Sequence, residues 1–306
     1  MLIARMPPEP PPMEELAYIV SFPDDGSPIR RIALQCLHMS YGQFKRAKFN
    51  GSILLDGEPV HADARVRAGQ QVIIRIPSAP SPYACTPYPI PLAIPYRDDS
   101  FWIVDKPAPL PSASSARQDG FTMENALFAA METPRHFIYR PVNRLDKGAS
   151  GLMVVALTAH SQQRLQSMLH SDRFTREYLA VCEGAPPERE GVVDLPIAKE
   201  SEASIRRVIN TAGKPARTHY QILRTANGRS LVSLRLETGR THQIRVHLQA
   251  LGCPVAGDFL YGRELSSLPG RFALHCHRMR ICHPMTNEVI VAKSGLPGEL
   301  AALLEQ

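Results

Sequence analysis

Seven prolines crowd residues 77 to 95 (Pro77, Pro80, Pro82, Pro87, Pro89, Pro91 and Pro95), and they limit the possible folds more than any other feature of the chain. Proline fixes its own φ and lacks a backbone N–H, so a run this dense fits neither a helix nor an inner strand and is read as an extended connector. The sequence is thereby parsed into an N-terminal extension (1–26), a small module (27–76), the connector (77–95) and a long C-terminal module (96–306). With 306 residues, 44% hydrophobic and 21% charged, the chain has apolar side chain for a full core, which excludes the disordered and fibrous classes.

In the small module, residues 32–49 read as two short helices. Ser40 opens the second, with Gln43 three positions on as the partner of a capping box. Asn50-Gly51 stops that helix, a strand from Ser52 to Leu55 meets an Asp56-Gly57 turn, and a strand from Gln71 to Ile76 completes a compact α+β unit. Lys45, Arg46 and Lys48 lie on the second helix with no acidic neighbour in it. Such a run suits a solvated face as well as a phosphate-binding one.

Beyond the connector, strands are expected at Phe101–Val104, Leu152–Leu157, Tyr178–Cys182, Leu231–Leu236 and Glu288–Ala292, and helices at Met123–Met131, Ser161–Leu169 and Thr241–Leu251. Short strands with occasional helices and no regular βαβ spacing predict an α+β fold with a mixed or antiparallel sheet, not a doubly wound one. A net charge of +6 and 11 histidines favour an anionic partner such as nucleic acid. No apolar run approaches membrane-spanning length, and prolines interrupt the N-terminus where a signal peptide would be apolar, so a cytoplasmic protein without a membrane partner is expected. Six scattered cysteines (Cys36, Cys85, Cys182, Cys253, Cys276, Cys282) are expected to be reduced. His275, Cys276, His277, Cys282 and His283 hold enough soft donors for zinc, but there is no CxxC and strand alternation separates Cys276 from the flanking histidines, so no metal is expected.

Three segments carry polar groups that packing does not require. In PVNRLDKGASGLMVVAL (141–157), Gly148 and Gly151 let the backbone turn, and a loop bearing Arg144, Asp146 and Lys147 runs into a buried strand. On spacing alone, Asp146 serves equally as a loop-turning residue. In REYLAV (176–181), Tyr178 shares a strand face with Ala180 and Cys182, where core packing is the plain reading. In ETGRTHQIRVHLQALG (237–252), Thr241 is placed to cap a helix whose inward stripe is Ile244, Leu248 and Leu251. That leaves His242, Arg245 and Gln249 on another face.

Four ordered motifs, NRLDKGASGL, REYLAVCEG, GRTHQIRVHLQALGCPVAGDFLYG and LHCHRMRICHP, together resemble the signatures of the RluA-type pseudouridine synthases. Upstream, the run from Leu37 to Pro77 resembles an S4-like RNA-binding module, in which a basic helix lies on RNA phosphates. The resemblance implies isomerisation of uridine to pseudouridine in RNA, with ribosomal RNA of the large subunit as the usual target of this domain pairing, a monomer, and no small-molecule cofactor. It also implies roles: Asp146 as the essential aspartate, Tyr178 as the ring that stacks on the target base, and Arg245 as the basic partner of Asp146. Arg144, Arg240 and His242 are expected to contact RNA at the site, and Lys45, Arg46 and Lys48 from the small module. A stacked base is out of reach, so it must be extruded, and an aromatic ring and an arginine replace its lost stacking. Asn143 stands where the family commonly has His, and Ala149 where it commonly has Thr. A non-catalytic RNA-binding protein on the same fold is the competing class. A glycosidase-like hydrolase would require a second carboxylate beside Asp146.

Overall fold

A computed structural model describes residues 13–77, 85–114, 120–132 and 137–305. The chain divides into two compact units. Among the described residues the first comprises 13–77, 137–138 and 158–164, and the second comprises the remainder. Residues 1–12 of the expected extension and 78–84 of the expected connector lie outside the described residues.

The first unit is a four-stranded antiparallel sheet, in the order β1 (Met13–Ile19), β4 (Gln71–Pro77), β2 (Ser52–Leu55), β3 (Glu58–Pro59). It corrects the boundary at residue 27, because all seven residues of β1 pair with β4, from Met13 opposite Pro77 to Ile19 opposite Gln71. Leu16 and Val20 enter the core with Ile53, Val72, Ile74 and Ile76. A short turn α1 (Ile29–Arg31) continues as a wider helix over Ile32–Cys36, and α2 (Tyr41–Asn50) follows. The capping box at α2 forms as the sequence predicts: Gln43 N donates to Ser40 Oγ at 3.1 Å and Ser40 N donates to Gln43 Oε1 at 2.9 Å.

The second unit is built on a nine-stranded sheet. Its order is β5 (Tyr96–Arg97), β6 (Phe101–Lys106), β7 (Ser150–Ala156), β14 (Leu274–Cys282), β8 (Phe174–Glu183), β13 (Arg229–Leu236), β12 (Arg217–Ala226), β9 (Glu190–Asp194), with β15 (Val289–Lys293) also on β14. A hairpin of β10 (Ile197–Lys199) and β11 (Arg207–Ile209) stands apart from it. Its helices are α3 (Met123–Ala130), α5 (Gln243–Ala250) and α6 (Gly298–Ala301), while α4 (Ala159–Met168) is divided, its residues up to 164 belonging to the first unit. The fold is therefore α+β with a mixed, mostly antiparallel sheet. Among the described residues no helix is long and apolar enough to cross a membrane.

One seam positions the site. β7 and β14 run parallel, with Ser150 opposite His275 and Gly151 opposite Cys276, while every other pairing in this sheet is antiparallel. Gly151 has φ +108, and a Cβ there would fall 2.3 Å from the Cys276 carbonyl oxygen, so the two backbones meet at this distance only around a glycine. Every residue of β7 is buried, and the loop that carries Asp146 leads directly into it.

Candidate active site

The loop before β7 is fixed from several sides. Ser112 Oγ donates to the Leu145 carbonyl at 2.6 Å and accepts from Leu145 N at 2.9 Å. Asn143 Oδ1 accepts from Val154 N at 2.8 Å, which ties the loop to β7 at the first position that departs from the family pattern. Ala149, the second departure, is buried, and its N–H donates to the Asp146 carbonyl at 3.1 Å. Lys106 is fully buried and donates to the carbonyls of Leu110 at 2.6 Å and Pro107 at 2.9 Å, under the same loop. Burial pushes its pKa down to about 7, against the pull of the Asp146 charge.

Asp146 and Arg245, ninety-nine residues apart, meet here: Arg245 Nη1 donates to Asp146 Oδ2 at 2.9 Å. The rest of the guanidinium is held by a residue that the sequence reading did not single out. Nε donates to Asp258 Oδ2 at 2.6 Å and Nη2 to Asp258 Oδ1 at 2.8 Å, a bidentate pair with Asp258 wholly buried. Leu260 N and Tyr261 N also donate to Asp258 Oδ1, at 3.0 and 3.2 Å. The guanidinium carbon lies 4.2 Å from the Phe272 ring centroid and 4.9 Å from that of Tyr261. Burial opposes the Arg245 charge, yet the hydrogen bond to Asp258 and the charge of Asp146 outweigh it and hold the group above its ordinary pKa. With Asp258 taking two donors, one edge of the planar fork remains for Asp146, so the carboxylate is aimed as well as neutralised.

Tyr178, on β8 opposite Cys276, is 5% exposed and lines the same cavity as Asp146. Burial raises its phenol above the ordinary range, so at neutral pH it presents a neutral hydroxyl on an aromatic ring. The cavity has a volume of about 570 Å³, within the ~300–1,000 Å³ of small-molecule sites. Arg144, Lys147, Arg176, Arg240 and His242 also line it, and Asp146 is the sole carboxylate among the lining residues. That composition leaves no second acid for a paired-carboxylate hydrolase.

The helix start differs from expectation. Thr241 does not cap α5. The N-cap is His242, in the left-handed conformation at φ 58 with no side-chain cap bond. Gln243 supplies the anchor instead: its Oε1 accepts from Arg240 N and Thr238 Oγ1, both at 2.9 Å, and its Nε2 donates to the Arg217 carbonyl and to Thr218 Oγ1, both at 3.0 Å. The expected polar face of α5 is also corrected, since Arg245 is 2% exposed and Gln249 is exposed. His242 Nδ1 shares a 2.8 Å hydrogen bond with the Tyr261 hydroxyl, which also accepts from Arg207 N. Burial lowers the His242 pKa, so the ring is neutral near pH 7. Arg240 is anchored through Nε on the Pro215 carbonyl, and Arg144 is exposed. Arg176, also unpredicted, is buried on β8 two residues before Tyr178.

Lys45, Arg46 and Lys48 are exposed on α2 of the first unit and none lines the cavity. The histidines of residues 275–283 are engaged elsewhere. His275 Nδ1 is bonded to Ser150 Oγ, His283 Nε2 to Asp98 Oδ2, and His277 lies near Glu177. Asp258, Arg176 and Lys106 had no local signal: each is an ordinary charged residue until the fold buries it.

A family model described as RNA pseudouridylate synthase matches residues 100–250. Ribosomal large subunit pseudouridine synthase D of Nitrosomonas europaea is 35% identical over 289 residues, spanning 89% of this chain and 83% of that protein. The protein of the same name from Xanthomonas campestris is 34% identical over 286 residues, 86% of this chain and 85% of its own length. Among solved structures, human RNA Pseudouridylate Synthase Domain Containing 1 superimposes with a TM-score of 0.55 at 26% identity, over 70% of this chain and 86% of that one.

Proposed function

The chain belongs to the RNA pseudouridine synthases, and on that premise we propose that it isomerises specific uridines of large-subunit ribosomal RNA, with Asp146 as the essential carboxylate. The observation that carries this reading is a lone carboxylate in a cavity of cations, aimed by Arg245 and sharing its walls with Tyr178. Two relatives that span most of this chain are named as acting on the large ribosomal subunit, which supports the choice of RNA.

The reaction breaks the bond from ribose to N1 of the uracil and forms one to C5, while the proton lost from C5 is balanced by one gained at N1. It is redox-neutral and calls for no cofactor. Attack of Asp146 on the ribose, attack on the base and proton abstraction from the sugar all start from an ionised carboxylate. The extruded base stacks on Tyr178, while Arg144, Arg240 and His242 hold the displaced strand. The first unit serves as an S4-like RNA-binding module, as the exposed cations of α2 suggest, with the boundary between modules in the proline-rich stretch and its start moved back to β1. We further read the protein as a cytoplasmic monomer.

The test is to incubate the purified protein with ribosomal RNA lacking pseudouridine and map the modified positions. Conversion at discrete uridines, absent with Asp146→Asn, is the expected result. Full activity of Asp146→Asn would overturn the assignment.

A further inference from the structure

The outward face of α2 carries more than positive charge. Tyr41 and Phe49 are 62% and 67% exposed, large values for aromatic rings, and Lys45, Arg46 and Lys48 are exposed between them. Tyr41, Lys45 and Phe49 sit at i, i+4 and i+8, so they form one stripe, while Gln43, Phe44 and Ala47 turn to the core. The two rings are about 12 Å apart along the axis and would serve separate bases. A single exposed ring would need no explanation. Two rings on one face, interleaved with three cations, no acid in the helix and no ion pair to those cations among the described residues, have the composition of a surface for a polyanion with flat apolar faces. Cations already approach both rings: the Arg30 guanidinium carbon lies 5.6 Å from the Tyr41 centroid, and Lys48 Nζ the same distance from that of Phe49. The capping box holds the helix in place before any ligand arrives.

We propose that this face binds unpaired RNA, with bases stacked on Tyr41 and Phe49 and flanking phosphates held by Lys45, Arg46 and Lys48. The inference rests on the reading of the chain as an RNA-modifying enzyme, and it adds a substrate feature: an unpaired segment in addition to the target uridine. A duplex keeps its bases stacked inside and offers the rings nothing, whereas a single strand offers a π-face at every nucleotide.

The test measures binding of the full chain to an oligouridylate and to a fully paired RNA duplex of equal length across a salt series. Tyr41→Ala/Phe49→Ala is expected to lose affinity for the oligouridylate by on the order of 5- to 100-fold per ring, with the slope of log affinity against log salt unchanged. Replacing Lys45, Arg46 or Lys48 by Gln is expected to lower that slope by about 0.7 each. Tyr41→Trp/Phe49→Trp should restore binding, which a folding defect in the alanine variant would not predict. Parental binding by the alanine variant, or a parent that prefers the duplex, overturns the proposal. Pseudouridine formation by the same protein preparations in ribosomal RNA lacking pseudouridine keeps the two readings apart. Conversion by the parent together with undiminished binding by the alanine variant sinks the stacking face alone. Absence of conversion with the oligouridylate preference intact sinks the enzymatic assignment alone.

Discussion

Arg245→Met separates what holds the site together from what reacts in it. The substitution removes three charge-assisted hydrogen bonds, two to Asp258 and one to Asp146. The two carboxylates are not left in the same position. Asp146 has a side chain 27% exposed and can turn to water, whereas Asp258 is wholly buried and keeps only the N–H groups of Leu260 and Tyr261. Stranding one member of a buried ion pair costs about 3–5 kcal/mol, and loss of the cation from the Phe272 and Tyr261 rings adds about 1 kcal/mol. For a unit of this size that corresponds to a fall in Tm of roughly 10 °C or more. Removing the stranded charge as well, in Arg245→Met/Asp258→Leu, should recover much of the loss, because an apolar pair of similar volume replaces the ionic one. Asp146→Asn should cost under about 1 kcal/mol, since its side-chain oxygen can still accept from Nη1 at a partly solvated position. The assay is urea and thermal unfolding of the four proteins, with single-turnover conversion and RNA affinity measured beside it. Activity is expected to vanish in all three variants and stability to fall most in Arg245→Met. A melt of Arg245→Met within 2 °C of the parent would refute the reasoning (about 1 kcal/mol or less), as would a double variant less stable than Arg245→Met.

Tyr178→Phe keeps the ring and should leave RNA affinity within about twofold, while Tyr178→Ala should weaken binding of the target-containing RNA by about 1–3 kcal/mol; equal affinities for both would remove the stacking role. The Cys276 thiol is pushed up to about 12 by burial from 9.0 in the unfolded chain, so the unfolded state releases its proton first. The Cys276 contribution to stability is therefore full below pH 9 and declines as pH rises toward 12, by up to ~4 kcal/mol, and Cys276→Ala should remove that contribution in urea titrations at stepped pH. Because His275, His283 and His277 are occupied by Ser150, Asp98 and Glu177, chelator-treated protein should convert uridine at an undiminished rate, and a loss restored by zinc would reassign the cluster.

Local chemistry was legible where a signal and its partner lie close in sequence. Ser40 and Gln43 are three apart and form the predicted cap, and the apolar run after Gly151 forms the buried strand. β1 was missed because its outward side includes Ile19, 69% exposed, so it lacks the clean alternation of a half-buried strand, and because its partner β4 lies more than fifty residues away. Thr241 has the chemistry of a cap, but the amide of Gln243 bonds four groups from Arg217 to Arg240 and draws the helix start to itself. The competing interaction there is tertiary, so no local preference could reveal it.

The site shows the same division more sharply. Asp146, Tyr178 and Arg245 were found through motifs, but what makes them one site is the seam between β7 and β14. Gly151, read in the sequence as a turn-former beside the loop, lies inside β7, where its missing Cβ admits the Cys276 backbone. Across that seam β14 sets Cys276 opposite Tyr178, while the start of β7 carries the loop with Asp146. Any larger residue at 151 would part the strands and move the ring wall of the cavity away from the carboxylate. A side chain there should therefore reduce turnover without touching a group that meets RNA. Asp258 is hidden in the sequence for the matching reason: it lies beyond the end of α5, thirteen residues after its partner Arg245 within that helix, and only burial turns an ordinary loop aspartate into the group that aims the guanidinium.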